Sequence, residues 1–328
     1  MPPPPLQALV ISDGRRGIQN QALGLTQALT RLRPCELRIH DVKRSGFFSA
    51  LPPLWQYRLA RKPEHYGLSQ KADIAIGCGR AAIAPLLALK RARADIFTVY
   101  IQDPKINPAR FDVVIAPEHD GLSAPNSLSM IGAPHRITPE ILKAARTEFG
   151  AYDTKFPAPR AAFLIGGNSK RHQLTQAMSE AHIKAAQSLL AQGYSLVVTT
   201  SRRTPRQAHA RWQALAQEHS NVWLYNPADT PNKANPYLTF LEIADIFLVT
   251  QDSTNMLTEA ASTGKPLFTL PMEGESGKFE TLYKALAKRA NMRAFDGNPA
   301  AQPYKPLNET PHIAQQIWEK FDANKAQT

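Results

Sequence analysis

The sequence predicts an α/β protein with two doubly wound, Rossmann-like parallel-sheet domains that face each other across a cleft. Three observations support this fold class. Short apolar runs alternate with helical patterns along the chain, this alternation occurs in two sets, and a segment with Gly and Pro interrupts the periodicity between them. Strands that alternate with helices of this length form parallel sheets through right-handed crossovers. A chain of 328 residues is long enough for two hydrophobic cores.

The elements of the first half follow from its apolar runs. The predicted strands are Ala8–Ile11, Leu37–His40, Asp73–Ile76, Ile96–Ile101 and Val113–Ala116. Helices are expected near residues 18–31 and 80–92.

The second half repeats the pattern. Its predicted strands are Ala161–Ile165, Ser195–Thr199, Val222–Tyr225, Ile246–Val249 and Pro266–Leu270. Helices are expected near residues 172–192, 205–218, 254–263 and 278–290.

The segment between the two sets is TEFGAYDTKFPAPR, residues 147–160. It predicts a first domain at 1–150 and a second at 151–328, with the last helix a candidate for return to the first domain. In open α/β sheets the ligand binds beyond the carboxyl ends of the strands, where the connections reverse direction. Candidate site residues are therefore expected in the turns that follow the strands.

The composition limits the class of protein. The net charge is +12, and the first 150 residues hold 20 Lys and Arg against 12 Asp and Glu, which favours anionic partners. We find no zinc finger, aromatic RNP-like strand or concentrated basic run, so nucleic acid is not expected as a partner. The sequence shows no apolar run of membrane-spanning length and no secretory signal, which predicts a cytoplasmic protein. Cys35 and Cys78 give neither a disulfide framework nor zinc spacing.

The first strand runs into a Gly-rich turn, ISDGRRGIQNQALGL. Glycines allow close approach of a ligand to the backbone, and the helix start offers free N–H groups to negative charge. The candidates on this loop are Gly14, Gly17, Asn20 and Gln21. A second turn, IGCGRAAIAPL, lacks the third glycine of a dinucleotide motif and is not expected to bind one.

A turn in the second half, FLIGGNSKRH, combines bare backbone, small polar side chains and cations. This composition suits a diphosphate, with donors from backbone and side chains. Two further turns add cations, TTSRRTP and MEGESGKF. The candidate diphosphate-binding residues are Gly166, Gly167, Asn168, Ser169, Arg202, Arg203 and Lys278. No D-x-D pair and no His/Cys cluster has metal-ligand spacing, so no metal site is expected.

The stretch VTQDSTNMLTEAASTGKPLFTLP places Asp252, Ser253 and Asn255 at a strand-to-helix turn and Glu259 on the helix. Asp, Ser, Thr and Asn are the preferred helix caps, so capping alone is one interpretation. The other is that these polar side chains face a ligand at the rim of the second sheet.

Residues 43–62, KRSGFFSALPPLWQYRLARK, hold five basic residues and no acidic one, with aromatic and aliphatic residues between them. This pattern favours docking on an anionic bilayer, although some of the apolar residues are equally typical of a core. Pro52 and Pro53 exclude one continuous helix through the segment. The candidate membrane residues are Phe47, Phe48, Trp55, Arg58 and Arg61.

The motifs SDGRRGIQNQALGL, YIQDPK, GGNSKRH, TTSRRTP, NPY at 235–237 and TQDSTNMLTEAASTGKP together resemble bacterial members of the mitochondrial-fission ELM-type family, over about residues 8–295. More remotely, the order of parts is similar to GT-B glycosyltransferases, particularly the enzyme that adds N-acetylglucosamine to a lipid-linked peptidoglycan precursor. This resemblance implies a nucleotide-diphosphate sugar as substrate, no separate cofactor, and a role for Glu259 in binding the ribose hydroxyls. It also implies a lipid or lipid-linked acceptor at the inner face of the cell membrane.

The first loop departs from the lipid-precursor enzyme, because Arg16-Gly17-Ile18 stands where that enzyme has a segment with histidine. Asp13 and Asp103 are the alternative candidates for the catalytic base, and each could instead only organise its turn. The leading hypothesis is metal-independent transfer of a sugar to an acceptor hydroxyl. A nucleotide-sugar epimerase of the same build and a non-catalytic membrane-associated adaptor are the alternatives.

Overall fold

The computed structural model describes residues 5–42, 50–68, 71–150, 154–227 and 234–326. These residues form two compact units. The first runs up to Arg136 and includes the C-terminal segment from Asn308, and the second is Ile137–Leu307.

In the first unit, the described residues form a sheet of six parallel strands in the order β2-β1-β3-β4-β5-β6. The strands are β1 (Leu6–Ser12), β2 (Cys35–Asp41), β3 (Ile74–Cys78), β4 (Phe97–Ile101), β5 (Val113–Pro117) and β6 (Ser127–Met130). The helices are α1 (Arg16–Leu32), α2 (Pro53–Leu59), α3 (Ile83–Ala92) and the C-terminal helix Thr310–Lys325.

Both faces of this sheet are covered, and the alternation along β1 shows how. Ala8 and Val10 belong to the core cluster that contains α1 and the C-terminal helix. Leu9 and Ile11 belong to the cluster that contains α3. Successive side chains of a strand point to opposite faces, so a strand buried on both sides reads as a continuous apolar run. This is why the central strands were visible in the sequence.

The second unit contains its own six-stranded parallel sheet in the order β10-β9-β7-β11-β12-β14. Its strands are β7 (Arg160–Leu164), β9 (Ser195–Thr199), β10 (Val222–Tyr225), β11 (Ile246–Thr250), β12 (Leu267–Leu270) and β14 (Arg293–Ala294), and β8 (His172–Gln173) pairs with β13 (Glu273–Gly274) as an antiparallel ribbon. The helices are α4 (Pro139–Glu148), α5 (Gln176–Ala191), α6 (Arg206–Glu218), α7 (Tyr237–Ile243), α8 (Thr254–Ala261) and α9 (Phe279–Ala290).

The core of the second unit lies on both sides of the sheet. Phe163 of β7 packs with Trp212 of α6, their ring centroids 5.1 Å apart, in the cluster that also takes in α5. On the opposite face α7 contacts β7 and β9, and Phe240 is fully buried there. Each face therefore has its own helical layer, as a doubly wound sheet requires.

The prediction of two parallel-sheet Rossmann-like domains is confirmed. The boundary falls between Arg136 and Ile137, ahead of residues 147–160, and α4 therefore belongs to the second unit rather than to a domain ending at 150. The reason is that α4 packs on α7, where Thr239 Oγ1 donates to the carbonyl of Ala145 at 2.9 Å. In the described part of the chain, no helix combines the length and apolarity needed to cross a bilayer.

Candidate functional site

The turns after β7 and β11 meet at the centre of the second sheet. These strands are neighbours, but the chain leaves β7 toward β9 and leaves β11 toward β12. This is the switch point at which open α/β sheets bind ligands. Gly166 and Gly167 follow β7, and Asp252 follows β11, so the strand order brings together residues that are distant in sequence.

The two glycines are required by close packing. The amide of Gly166 donates to Thr250 Oγ1 at 2.7 Å, and the amide of Gly167 donates to Asp252 Oδ2 at 3.0 Å. A Cβ at Gly166 would overlap the carboxylate of Asp252, and one at Gly167 would overlap the backbone of Arg203. Arg203 lies in the turn after β9. Only glycine allows the turns after β7, β9 and β11 to approach this closely.

The Asp252 carboxylate faces inward. Its side chain is fully buried and also accepts from Thr250 Oγ1 at 2.8 Å and from the guanidinium of Arg203 at 2.7 Å. All of these partners come from the protein. Asp252 therefore holds the turns after β7, β9 and β11 in place. The sequence interpretation had the Asp252 side chain face a ligand. Direct contact with a ligand would require the carboxylate oxygens to give up these protein partners.

The backbone amides of the Gly166–Ser169 turn are also used within the protein. The amide of Asn168 donates to the Arg203 carbonyl at 3.1 Å, and that of Ser169 donates to the His172 carbonyl at 2.9 Å. With the two glycine amides already bound, this turn does not present backbone donors as the sequence suggested. Asn168 Oδ1 accepts from the amide of Leu174 at 2.9 Å, and Ser169 Oγ accepts from the amides of Arg171 and His172, so both side chains shape the same loop.

The cations at this edge remain accessible. The guanidinium of Arg203 bridges Asp252 and the carbonyl of Asn168, yet 46% of its side chain is exposed. Arg202 is exposed and has no ion pair or hydrogen bond within the described residues. Ser201 and Thr204 fix the turn that carries both arginines: the amide of Ser201 donates to Thr204 Oγ1, and the amide of Thr204 donates to the carbonyl of Ser201.

Lys278 reaches the same edge through the β8–β13 ribbon, in which Gly274 pairs with His172. Gly277 lies directly against the guanidinium of Arg171, and its φ of +51° is a conformation that favours glycine. Lys278 is exposed and its ammonium lies 5.5 Å from the ring of Phe279. The ribbon therefore joins the turn after β7 to the turn before α9.

The stretch at 252–259 forms the start and body of helix α8. Ser253 caps it by accepting from the amide of Met256 at 3.4 Å. Asn255 lies in the first turn and is partly exposed. Glu259, one turn further along, accepts a hydrogen bond of 2.5 Å from the hydroxyl of Tyr237 on α7.

Burial raises the pKa of Glu259 to about 7, against the Tyr237 hydrogen bond, which lowers it. The same environment raises the pKa of Tyr237 well above its usual value, so the tyrosine stays a donor. Sequence reasoning did not single out Tyr237 as a site residue. The signal was present in the NPY motif, but only the tertiary contact between α7 and α8 gives it a role.

The first unit has the same arrangement at its own switch point, between β1 and β3. Gly14 has a φ of +72°, and a Cβ added at this position would lie 3.7 Å from the carboxylate of Asp41. Ser12 Oγ donates to Asp41 Oδ1 at 2.7 Å and accepts from the amide of Gly14. This turn directs the chain from β1 into α1.

The remaining candidate residues of this loop differ in solvent exposure. Gly17 and Asn20 are exposed. Gln21 is buried and accepts from the side chains of Gln102, at 3.2 Å, and Cys78, at 3.4 Å. Burial and the nearby Asp13 raise the pKa of Cys78 above its usual range, so this thiol is inert.

The structure distinguishes the two candidate bases. The Asp13 carboxylate is fully buried and accepts from the amide of Arg15 at 3.2 Å and from its guanidinium at 2.8 Å. Asp103 accepts from the amide of Lys105 at 2.8 Å and from its ammonium at 2.5 Å, and 13% of its side chain is exposed. Asp103 lines a cavity.

This cavity, of about 470 Å³, lies entirely within the first unit. It is bounded by α2, by the residues before α3 and by the turn after β4. Trp55 and Arg58, which the sequence assigned to membrane docking, line it. Arg61 is exposed, and Phe47 and Phe48 lie outside the described residues.

The chain is similar to known proteins over most of its length. The family described as "Mitochondrial fission ELM1" matches residues 16–321. The mitochondrial fission protein ELM1 of Arabidopsis thaliana is 27% identical over 271 residues, which cover 74% of this chain and 62% of that protein, so the match spans less than two thirds of the plant protein. An uncharacterized protein of Rickettsia prowazekii is 26% identical over 97% of this chain and 99% of its own length.

Among solved structures, UDP-GlcNAc 2-epimerase from Neisseria meningitidis bound to UDP-GlcNAc is similar with a TM-score of 0.60. The identity is 11%, and the alignment covers 96% of this chain and 100% of that one. At this identity the similarity establishes the fold alone.

Proposed function

The chain belongs to the mitochondrial fission ELM1 family, and from this premise and the site geometry we propose that it is a glycosyltransferase that moves a sugar from a nucleoside-diphosphate donor to an acceptor hydroxyl. The observation that carries the proposal is the convergence of the turns after β7, β9 and β11 around Asp252, at the switch point of the second sheet. The fold neighbour bound to UDP-GlcNAc supports a nucleotide-sugar ligand of this kind.

In the proposed donor site, positive charge and the start of α8 hold the diphosphate. The amides of the Gly166–Ser169 turn are occupied, whereas the first turn of a helix carries N–H groups without intrahelical partners. Arg202, the exposed part of Arg203 and Lys278 supply the cations. They neutralise the charge that develops on the departing diphosphate.

Glu259 binds the ribose in this proposal. A carboxylate accepts from two neighbouring hydroxyls, and the Tyr237 hydrogen bond fixes one of its oxygens. The pKa of about 7 means that ribose binding, which favours the charged form, must compete with a proton.

Asp103 is the proposed base. Its carboxylate takes the proton of the acceptor hydroxyl while that oxygen bonds to the anomeric carbon of the sugar. The bond from this carbon to the diphosphate breaks, and its electron pair leaves with the nucleoside diphosphate. The cavity beside Asp103 supports transfer over epimerisation, because an epimerase acts on the nucleotide sugar alone and needs no second organic site.

Calorimetric titration with UDP, GDP and CMP tests the donor site. We expect one of the nucleotides to bind, and we expect Lys278→Ala to weaken that binding about tenfold through loss of a charged hydrogen-bond donor. Lys288→Ala is the matched control, since Lys288 is exposed on the same helix about 15 Å further along. Absence of binding by all three nucleotides would remove the proposal.

Epimerisation is the second candidate, favoured by the fold neighbour that is a UDP-GlcNAc 2-epimerase. Incubation with a UDP-sugar and no acceptor, followed by NMR, separates the two reactions. Formation of the epimer without acceptor would replace the transferase assignment.

A further inference from the structure

The cavity of the first unit has a mixed lining that specifies its ligand. One part is polar and charged, and the other is apolar. The polar lining is Arg58, Arg80, Gln102, Asp103 and Lys105, and the apolar lining is Pro52, Pro53, Leu54, Trp55, Ile83, Tyr100, Pro104 and Ile106. Its volume of about 470 Å³ is within the range of small-molecule sites.

The charged part is built to receive an anion. Asp103 is the one carboxylate in the lining; the ammonium of Lys105 pairs with its charge, and the amide of Lys105 donates a further hydrogen bond. Arg58 lies 5.9 Å from the ring of Trp55, and Arg80 uses one nitrogen to donate to the carbonyls of Ala50 and Leu51. Within the described chain neither guanidinium has a carboxylate partner. Both arginines can therefore bind a phosphate through their remaining N–H groups.

The backbone beside the cavity is held in an uncommon conformation. Gln102 and Lys105 have φ values of 89° and 55°, which non-glycine residues seldom adopt. Hydrogen bonds from Gln102 to the carbonyl of Ile115 at 2.8 Å and to Gln21 at 3.2 Å stabilise the first of them. Such strain persists where the surroundings over-determine it and is concentrated at functional sites.

The apolar part extends onto the surface of α2. Leu54 packs against the core beneath the cavity, whereas Trp55 is 57% exposed and Leu59 65% exposed on the same helix. A hydrocarbon chain that leaves the cavity along α2 would cover these two side chains. A free inorganic anion would leave the apolar wall exposed, and a neutral lipid would leave the guanidinium groups without a counter-charge.

We propose that this cavity binds a single-chain amphiphile with a phosphate or diphosphate head group, the head on Arg58 and Arg80 and the chain against Leu54, Ile106 and the outer face of α2. The identification of this ligand with the acceptor of the transfer rests on the proposed function. The binding itself does not.

Calorimetry on the full chain, without nucleotide, tests the binding. Farnesyl phosphate, below its micellar concentration, is compared with farnesol and with inorganic phosphate. We expect farnesyl phosphate to bind at least tenfold more tightly than either fragment. Arg58→Ala and Arg80→Ala should each weaken it about tenfold, whereas Arg91→Ala, at the opposite end of α3 and exposed, should leave it unchanged.

Equal binding of farnesol would overturn the role of the cations, and equal binding of inorganic phosphate would overturn the role of the apolar wall. Adsorption to vesicles of anionic phospholipid without binding of farnesyl phosphate would make α2 a surface-docking element and overturn the cavity site. Because no nucleotide is present, failure here leaves the donor site intact, and failure of nucleotide binding leaves this result intact.

Discussion

The hydroxyl of Tyr237 on α7 donates a 2.5 Å hydrogen bond to the carboxylate of Glu259 on α8, and burial raises the pKa of that carboxyl to about 7. Since the folded pKa lies above the ordinary value of 4.5, Glu259 contributes most to stability below about pH 4.5. That contribution is lost as the pH rises through 7. In the proposed donor site the same group is charged when it accepts from two ribose hydroxyls.

Nucleotide binding should therefore release a proton from Glu259. At pH 6 the free protein holds this carboxyl protonated, and binding of the ribose lowers its pKa, so we expect about one proton to be released. Calorimetry in two buffers with different ionisation enthalpies measures the number. The phosphate of the nucleotide also titrates near this pH, so the informative quantity is the difference between wild type and Glu259→Gln.

Tyr237→Phe provides the control for this prediction. The substitution removes the hydrogen bond that lowers the pKa of Glu259, so the pH at which nucleotide affinity rises should shift upward. A purely structural role for Tyr237 would weaken binding equally at every pH. An unchanged pH profile in this variant would contradict the ribose role of Glu259.

Arg202 and Arg203 are adjacent in sequence, but their substitution by alanine should affect the free energy of unfolding differently while weakening nucleotide binding in both cases. Arg203 pairs with the buried Asp252, so Arg203→Ala leaves a buried carboxylate short of one donor, at a cost of about 1 kcal/mol after allowance for its 46% exposure. Arg202→Ala should change stability by less than about 0.5 kcal/mol, since surface substitutions without partners are close to neutral. Both variants should weaken nucleotide binding. Urea denaturation and calorimetry on the same preparations measure the two quantities, and equal destabilisation by the two variants would show that Arg202 has a structural partner.

Gly166 should not tolerate a methyl group. A Cβ there overlaps the Asp252 carboxylate, whose other contacts prevent it from moving, so we expect Gly166→Ala to lower the free energy of unfolding by about 2 kcal/mol or more. Gly150→Ala is the control, because a Cβ at that position meets its nearest neighbour at 3.6 Å. Chemical denaturation measures the free energy of unfolding of both variants. Similar stabilities would mean that the turns after β7 and β11 are not packed as described.

Much of the fold was readable from the sequence because buried parallel strands are continuous apolar runs. β6, with the sequence SLSM, was missed because an edge strand needs no such run. The helix α2 is not evident from the sequence, because proline usually interrupts a helix, whereas Pro53 occupies the first helical position, where its missing N–H costs nothing.

The site was readable only in part. The turns that carry Gly166 and Asp252 could be placed at strand ends, and the strand order brings them together. The direction of each side chain could not be predicted, since it depends on neighbours distant in sequence. Asp252 turns inward to meet Gly167 and Arg203. Burial in the folded chain raises the pKa of Glu259, while the hydrogen bond from Tyr237, on a helix from another segment, lowers it.

Asp13 and Asp103 should respond differently to the same isosteric substitution. Asp13 is fully buried against Arg15, so Asp13→Asn removes a charge partner and should lower stability by about 1 kcal/mol while transfer persists in the folded fraction. Asp103→Asn removes the proposed base from the wall of the cavity and should reduce the rate of transfer at least about a hundredfold, with nucleotide affinity and stability nearly unchanged. The assay is release of nucleoside diphosphate from a UDP-sugar in the presence of bacterial membrane lipid extract. Full activity of Asp103→Asn together with loss of activity in folded Asp13→Asn would reverse the assignment, and full activity of both variants would remove general-base catalysis by either carboxylate.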